Sequence, residues 1–238
     1  FMIHLLVGNT GSGKTTLLNS LLNFCPQNER IIIVEETPEI NITHKHQVKL
    51  ATVDGFELGM QELIINTLRM RPDRVIVGEI RDKEEVSAFM DTLLAGQGKG
   101  TYATFHAQSA IECIGRLKNL GAELNDLNSI DLIITQKRWS NFSNGKSSEE
   151  RKLIEIAEPN IQKNKLSIRK LYSYSFENNN FLKNGVSKKV LEKISRTFKI
   201  KKKNFPKELR KRARFLDSLH NTPQEEFFDQ IQSYGKTS

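Results

Sequence analysis

The stretch Gly8-Asn9-Thr10-Gly11-Ser12-Gly13-Lys14-Thr15 decides the fold class of this 238-residue chain. It matches the pattern G-x-x-x-x-G-K-[ST] at every position, and an apolar run over residues 3–7 leads directly into it. Glycine permits tight turns, so successive backbone N–H groups of such a loop can point at phosphate oxygen atoms. The stretch therefore predicts a binding loop for a nucleoside triphosphate, formed by Gly8, Asn9, Thr10, Gly11, Ser12, Gly13, Lys14, Thr15 and Thr16.

Two side chains of this loop have predicted roles of their own. Lys14 is expected to reach the β- and γ-phosphates, and the Thr15 hydroxyl is expected to bind Mg²⁺. A helix predicted over residues 15–24 would add its positive N-terminal dipole to the site. ATP and Mg²⁺ are therefore the expected ligands.

Short apolar runs alternate with helical spacings along the first two thirds of the chain. Continuous apolar runs are typical of strands buried on both faces, and their alternation with helices predicts a largely parallel sheet. The fold class expected is α/β, with a RecA-like P-loop core over residues 1–160 and a strand and helical appendage over residues 161–238. Strands are predicted at residues 3–7, 31–34, 75–77, 101–105, 131–136 and 153–157, a polar loop at 140–150, and tail helices at 187–198, 206–220 and 222–234.

Composition narrows the possible classes of protein. The chain carries a net charge of +8, much of it between residues 199 and 214, which suits nucleic acid, an anionic membrane surface or an acidic partner. Its longest apolar runs fall well short of the roughly 20 residues that a membrane-spanning helix needs. Cys25 and Cys113 lie far apart and form no metal-ligand pattern, which indicates buried thiols in a reducing compartment.

Two acidic clusters follow predicted strands. Glu35 lies at the end of the run over residues 31–34, where an open parallel sheet binds ligands, and its carboxylate could orient or deprotonate an attacking water. Glu79 follows the run over residues 75–77, in a segment that resembles a Walker B element, so its carboxylate could hold Mg²⁺ directly or through water. The alternative for the first cluster is a solvated turn.

A histidine and several arginines accompany these acids. His106 follows the strand predicted over residues 101–105, at the same sheet edge, which favours a role in sensing the γ-phosphate; a lone histidine is more often structural. The arginines between residues 69 and 81 could neutralise charge that develops on the γ-phosphate. The alternative for Arg71 and Arg74 is solvated surface charge.

The four motifs, in this order and spacing, resemble the superfamily of secretion ATPases. These are the motors of type II and type IV secretion, type IV pili, and archaeal pili and archaella. Residues 8–15 match the Walker A box, 35–39 the acidic box, 68–82 the Walker B segment and 104–107 the histidine box. The resemblance covers residues 3–158, and the histidine box and helical tail are most similar to the archaeal branch.

The resemblance implies catalytic roles residue by residue. Glu35 falls on the glutamate linked to water activation, and Glu79 on the Walker B glutamate, which with Thr15 would hold the metal. Arg69 and Arg81 fall on arginines that act at the nucleotide or at a subunit interface.

His106 falls on the second histidine of its box. Two departures accompany these matches. Gln97 follows Gly96 where many relatives have a histidine, and Glu36 stands where many have aspartate. The four-cysteine zinc element of some export motors is absent from the sequence.

The resemblance also implies partners. A homo-hexameric ring is expected, which would act on a membrane platform protein from the cytoplasm, at the inner face of the cell membrane. The family's N-terminal domain helps to close the nucleotide site and does not precede the loop here. A fragment or one half of a split motor is therefore expected, with slow hydrolysis unless that domain is supplied in cis or in trans.

Two other functions remain open at this stage. A nucleic-acid-handling RecA-like motor would suit the basic charge, although no nucleic-acid motif or aromatic stacking platform is recognisable, which makes a nucleic-acid partner the weaker expectation. A nucleotide-binding subunit without turnover is the other. Intact Lys14, Thr15, Glu35 and Glu79 argue against it.

Overall fold

The computed structural model describes residues 2–53, 55, 58–95, 98–143, 145–162 and 165–237. Within these residues one nine-stranded sheet forms the centre, and the strand order across it is 3-2-4-5-1-6-7-8-9. The strands are β1 (Met2–Gly8), β2 (Ile31–Glu35), β3 (Gln47–Ala51), β4 (Arg74–Ile80), β5 (Gly100–Phe105), β6 (Leu132–Ser143), β7 (Lys146–Gln162), β8 (Lys165–Ser175) and β9 (Asn180–Lys183).

Strands β1 to β6 pair in parallel and form the core of the sheet. The apolar run of β2 explains why: Ile31 and Ile33 pack on one face, Ile32 and Val34 pack on the other, and all four are fully buried. Such a strand needs helices on both sides of the sheet. The predicted α/β fold with a largely parallel sheet is confirmed.

Helices cover both faces. Helix α1 (Lys14–Leu22) packs on one face, mainly through Leu18 and Leu22. The other face is covered by α2 (Met60–Thr67), α3 (Lys83–Leu94), α4 (Ala110–Asn119) and α5 (Leu124–Ser129).

The prediction of a polar loop over residues 140–150 is wrong. These residues belong to the distal part of a β6–β7 hairpin, whose antiparallel pairing continues to Ser143 opposite Lys146. Most of the described residues in this distal part are exposed, so the strands need no apolar side there. Gly145 has a left-handed φ of 72°, and it follows Asn144, which lies outside the described residues. Asn-Gly is a strong hairpin signal that outweighs the polar composition.

The tail is helical, as predicted, with α6 (Lys188–Phe198), α7 (Phe205–Ser218) and α8 (Gln224–Thr237). Lys193 of α6 pairs with the fully buried Asp131 at 2.7 Å, and Gln232 of α8 donates to the Asn23 carbonyl at 2.8 Å. Strand β8 pairs with β7, so the sheet runs on past residue 160. The division into parts at residue 160 stays a prediction. Among the described helices, none is both long and apolar enough to cross a bilayer.

His4 of β1 is held in the sheet without a partner for its Nε2 atom. Its ring packs edge-to-face on Tyr102 at 5.3 Å between centroids. Burial lowers the pKa of His4 from 6.5 to about 4; Asp131 opposes the shift, and Arg74 and Lys193 add to it. The ring is therefore neutral in the folded protein at pH 7.

This lowered pKa predicts a loss of stability in acid. Between pH 6.5 and pH 4 the unfolded chain binds a proton at His4 and the folded chain does not, so acidification favours unfolding. The expected loss from this group is about 3 kcal/mol between pH 7 and pH 4. Urea unfolding gives the free energy of unfolding of the wild type and of His4→Phe at pH 7 and at pH 4. The contribution of His4 is the loss in the wild type minus the loss in the variant. Equal losses in the two proteins would contradict the prediction.

Candidate nucleotide site

The strand order brings the predicted site residues to one edge of the sheet. Parallel strands end at the same edge, so Glu35 of β2, Glu79 of β4 and His106 after β5 lie beside the loop that follows β1. A cleft of about 880 Å³ opens there. Its lining includes loop residues 10–16, Glu35, Glu36, Glu39, Glu79, Arg81, Glu85, Thr104, His106, Gln136 and Arg151.

The loop has the backbone that its glycines predict. Gly11 and Gly13 adopt left-handed φ values of 70° and 94°, which side chains other than glycine rarely adopt. Gly13 is also the N-cap of α1 and offers no side chain to that helix end, so the first N–H groups of α1 remain available to an anion. Residues 10–16 therefore form a phosphate cradle.

Gly8 and Asn9 support the cradle from outside the cleft. A Cβ atom on Gly8 would lie 2.4 Å from the Gln136 carbonyl oxygen, so β6 requires glycine at that position. The Asn9 side chain donates to the Arg138 carbonyl at 3.2 Å and accepts from the Arg138 N–H at 3.1 Å. These contacts fix the loop to the hairpin.

Lys14 and Thr15 reach the cleft, as predicted. The Lys14 Nζ atom donates to the carbonyls of Gly8 at 3.2 Å and Asn9 at 3.4 Å. Burial lowers the pKa of Lys14, and the carboxylates of Glu79 and Glu39 act against this shift. The Thr15 hydroxyl donates to Glu39 Oε2 at 3.0 Å.

Glu35 is a buried carboxylate with one free oxygen. Its Oε1 atom accepts the backbone N–H groups of Glu39 at 2.9 Å and Ile40 at 2.8 Å. Its Oε2 atom has no partner among the described residues. A Cβ atom on Gly78 would lie 2.9 Å from Glu35 Cγ, so glycine at 78 allows β4 to pass this side chain.

Glu79, His106 and Arg81 form one cluster. The His106 Nε2 atom lies 2.6 Å from Glu79 Oε1, and Arg81 Nε donates to Glu79 Oε2 at 2.7 Å. Burial lowers the pKa of His106, helped by the charge of Lys14, so the neutral ring donates Nε2–H to the carboxylate. The hydrogen bond to Glu79 raises the pKa of Arg81, which also pairs with Glu36.

Arg69 is not part of this cluster. It lies in the exposed turn that follows α2, where its N–H donates to the Asn66 carbonyl, and it does not line the cleft. A role at a subunit interface stays a prediction. Gly96 and Gln97, where the first histidine of the box is replaced, lie outside the described residues.

The sequence reasoning missed, among others, two polar residues of the β6–β7 hairpin that line the cleft. Arg151 of β7 donates from Nε to the Gly11 carbonyl at 2.8 Å, and Gln136 of β6 lies against Gly13 and keeps a buried Oε1 atom without a protein partner. The parallel pairing of β1 with β6 places Gln136 there, and the antiparallel pairing of β6 with β7 places Arg151. Only the Asn-Gly turn could have indicated that the hairpin arms run so far.

The cleft fits Mg²⁺ bound together with phosphates. Magnesium usually takes one or two protein ligands and completes its shell with water and substrate oxygen atoms. Thr15 and Glu79 offer a hydroxyl and a carboxylate there. In the described part of the chain, no group of three or more His, Cys, Asp or Glu is placed to hold a metal ion.

Sequence comparison places the chain in a family. The family model described as Type II/IV secretion system protein matches residues 1–158. The chain belongs to this family. An uncharacterised protein of Methanocaldococcus jannaschii, MJ1287, is 31% identical over 240 residues, which cover 97% of this chain and 87% of that protein.

Other secretion-family relatives are longer than this chain. VirB11 of Agrobacterium fabrum strain C58 is 38% identical over 141 residues, 55% of this chain and 40% of VirB11. The chain therefore spans less than half the length of this relative.

Solved structures of the family share the fold. The VirB11 ATPase from the Brucella suis type IV secretion system, in complex with sulphate, has a TM-score of 0.54 at 24% identity, over 65% of this chain and 47% of that one. The Legionella pneumophila ATPase DotB has a TM-score of 0.50 at 26% identity, over 64% and 45%. The predicted resemblance to secretion ATPases is confirmed.

The close approach of Gly78 to Glu35 predicts a destabilising substitution. Gly78→Ala places a methyl group against Glu35, whose other contacts hold it in place, so a loss of about 1–3 kcal/mol of unfolding free energy is expected. Gly115→Ala is the matched control, because nothing lies within 4 Å of a Cβ atom there and α4 gains a better helix former. Urea unfolding measures both. A Gly78→Ala protein as stable as the control would contradict the contact.

Proposed function

We propose that the chain is the ATP-binding and ATP-hydrolysing motor domain of an ATPase that powers secretion or the assembly of a type IV pilus or an archaellum. The observation that carries the proposal is the cluster of Glu79, His106 and Arg81 beside the phosphate loop, with the free oxygen of Glu35 in the same cleft. Membership of the secretion family supports ATP as the ligand.

The loop and Lys14 bind the triphosphate. The N–H groups at the start of α1 and the ammonium of Lys14 both favour negative charge at one place. Thr15 and Glu79 would hold Mg²⁺, which neutralises charge on the β- and γ-phosphates when it is bound. The hydrogen bond between Thr15 and Glu39 must open for the hydroxyl to serve in this way.

Glu35 is the better candidate for the general base. Both oxygen atoms of Glu79 are already paired, with His106 and with Arg81, whereas Glu35 Oε2 is free. Glu35 would accept a proton from the attacking water at Oε2, while its Oε1 bonds keep the carboxylate in place. His106 would fix the orientation of Glu79 through their hydrogen bond. Because it lines the same cleft, it would also sense whether the γ-phosphate is present.

A ring would complete this machinery. We expect a homo-hexamer that passes its motion to a membrane platform protein from the cytoplasm, with an N-terminal domain in cis or in trans closing the cleft. The exposed position of Arg69 suits an interface between subunits. Residues 1–160 would form the ATPase core, and residues 161–238 would form an appendage to it.

Nucleotide binding tests the loop. Lys14→Ala removes the charge that faces the phosphates, so the Kd for a fluorescent ATP analogue is expected to rise on the order of tenfold or more. Lys118→Ala, at an exposed position of α4, is the control and should bind as the wild type does. Fluorescence titration with Mg²⁺ present measures both. Equal affinity in the Lys14 variant would refute the loop as the site.

The rate of ATP hydrolysis tests the roles proposed for Glu35 and Glu79. Glu35→Gln keeps the two hydrogen bonds at one oxygen but removes the base, so phosphate release should fall on the order of a hundredfold while ATP binding persists. Glu79→Gln should reduce turnover as well, and Glu84→Gln, exposed on α3, should not. Phosphate release is measured for the chain alone and with a separately supplied N-terminal domain. Absence of turnover in both would favour a nucleotide-binding subunit.

A further inference from the structure

The positive charge of the chain is concentrated in one segment of the tail, residues 198–216, here called the basic tail segment. It contains nine of the 36 Lys and Arg residues and one of the 28 Asp and Glu residues. The rest of the chain therefore has 27 residues of each sign and no net charge. The whole excess of +8 lies in a stretch that follows the family-matched residues 1–158.

A cleft forms within this segment. It has a volume of about 830 Å³ and lies between the end of α6, the connecting 3₁₀ turn (Lys202–Asn204) and α7. Six cationic side chains line it, with one acid, Glu208. The six are Lys199, Lys201, Lys207, Arg210, Lys211 and Arg214.

None of these six cations has a carboxylate partner among the described residues, and Glu208 pairs with Arg212 instead. Like charges held this close repel one another, so the cluster costs stability unless an anion covers it. The connector between α6 and α7 has a defined local conformation at its start. Lys199 has a left-handed φ of 54°, and the Ser195 hydroxyl donates to the Ile200 carbonyl at 2.7 Å.

Exposed apolar side chains adjoin the cations. Phe198 is 66% exposed, Leu209 40% and Leu216 39%, and all three lie within the basic tail segment. Leu209 and Leu216 are seven residues apart on α7 and share one face, whereas the four α7 cations that line the cleft share the opposite face. No residue of α6 or α7 is buried.

We propose that the basic tail segment docks on the surface of a bilayer that contains anionic lipids. Clusters of four to eight Lys and Arg on an amphipathic helix attract anionic headgroups, and the apolar face can enter the boundary between headgroups and acyl chains. The cations then meet phosphate groups, and Phe198, Leu209 and Leu216 leave water. The inference goes beyond ATP hydrolysis and stands on residues outside the nucleotide cleft.

A lipid surface fits these observations better than nucleic acid does. Single strands are bound by aromatic residues that stack on bases, and the lining of this cleft contains no aromatic side chain. Nucleic acid also gives the exposed leucines no place to be buried. A bilayer accounts for both the charge and the apolar face.

Vesicle binding tests the proposal with the full chain. Sedimentation with vesicles that contain about one-third phosphatidylglycerol should show affinity on the order of tenfold or more above that for pure phosphatidylcholine vesicles, and added salt should weaken it. Joint substitution Lys207→Gln, Arg210→Gln, Lys211→Gln and Arg214→Gln should abolish this preference. Equal binding to the two kinds of vesicle by the wild type would overturn the proposal.

A matched control changes four lysines elsewhere. Lys118, Lys146, Lys165 and Lys183 are exposed, and their joint change to Gln lowers the net charge equally. This variant should keep the preference for anionic vesicles. If it loses the preference as fully as the tail variant, total charge rather than the tail is responsible and the proposal fails.

Two further measurements separate the alternatives. Leu209→Ser with Leu216→Ser keeps every charge and should weaken vesicle binding, and unchanged binding would overturn docking through this face. Tighter binding of fluorescent DNA than of anionic vesicles, lost in the tail variant, would replace a lipid surface with nucleic acid. ATP titration of every variant shows that the fold and the nucleotide site are intact, so failure here is distinct from failure of the proposed function.

Discussion

The parallel pairing of β1 with β5 and β6 is the constraint on which the site depends. Val7 lies opposite Phe105, the last residue of β5, and Gly8 lies opposite Gln136 of β6, so the phosphate loop emerges between these two strands. Every catalytic candidate in the cleft is placed by a strand end or by the first residue after it. A shift of one residue in this register would turn the side chains to the opposite face.

Two glycines allow neighbouring segments to approach closely at this edge of the sheet. Glycine at 78 lets Glu35 lie against β4, and glycine at 8 lets the loop lie against β6. The Glu79 carboxylate then joins His106 and Arg81, which come from different segments. The hairpin of β6 and β7 adds Arg151, which lies across β1 from Glu79 in the strand order and holds the loop at Gly11.

Local patterns predicted the parts of the fold that follow local rules. Apolar runs indicated the buried strands, as the observed bounds of β1, β2, β4 and β5 show. Strand β3, strand β9 and α5 went unpredicted because they are short and carry no clear periodicity. The arms of the β6–β7 hairpin were missed because strands beyond the core can be polar on both faces.

The sequence by itself determined the phosphate loop and the identity of Glu35, Glu79, Arg81 and His106, since motif spacing is a property of the chain. Only the tertiary structure decided which of these groups meet. Strand order is a long-range property, and it pairs Glu79 with His106, leaves Glu35 with a free oxygen, and keeps Arg69 out of the cleft. The tertiary structure also brings Lys199 and Lys201 of the connector beside the cations of α7 around one cleft, because the path of a connector is not set by helical spacing.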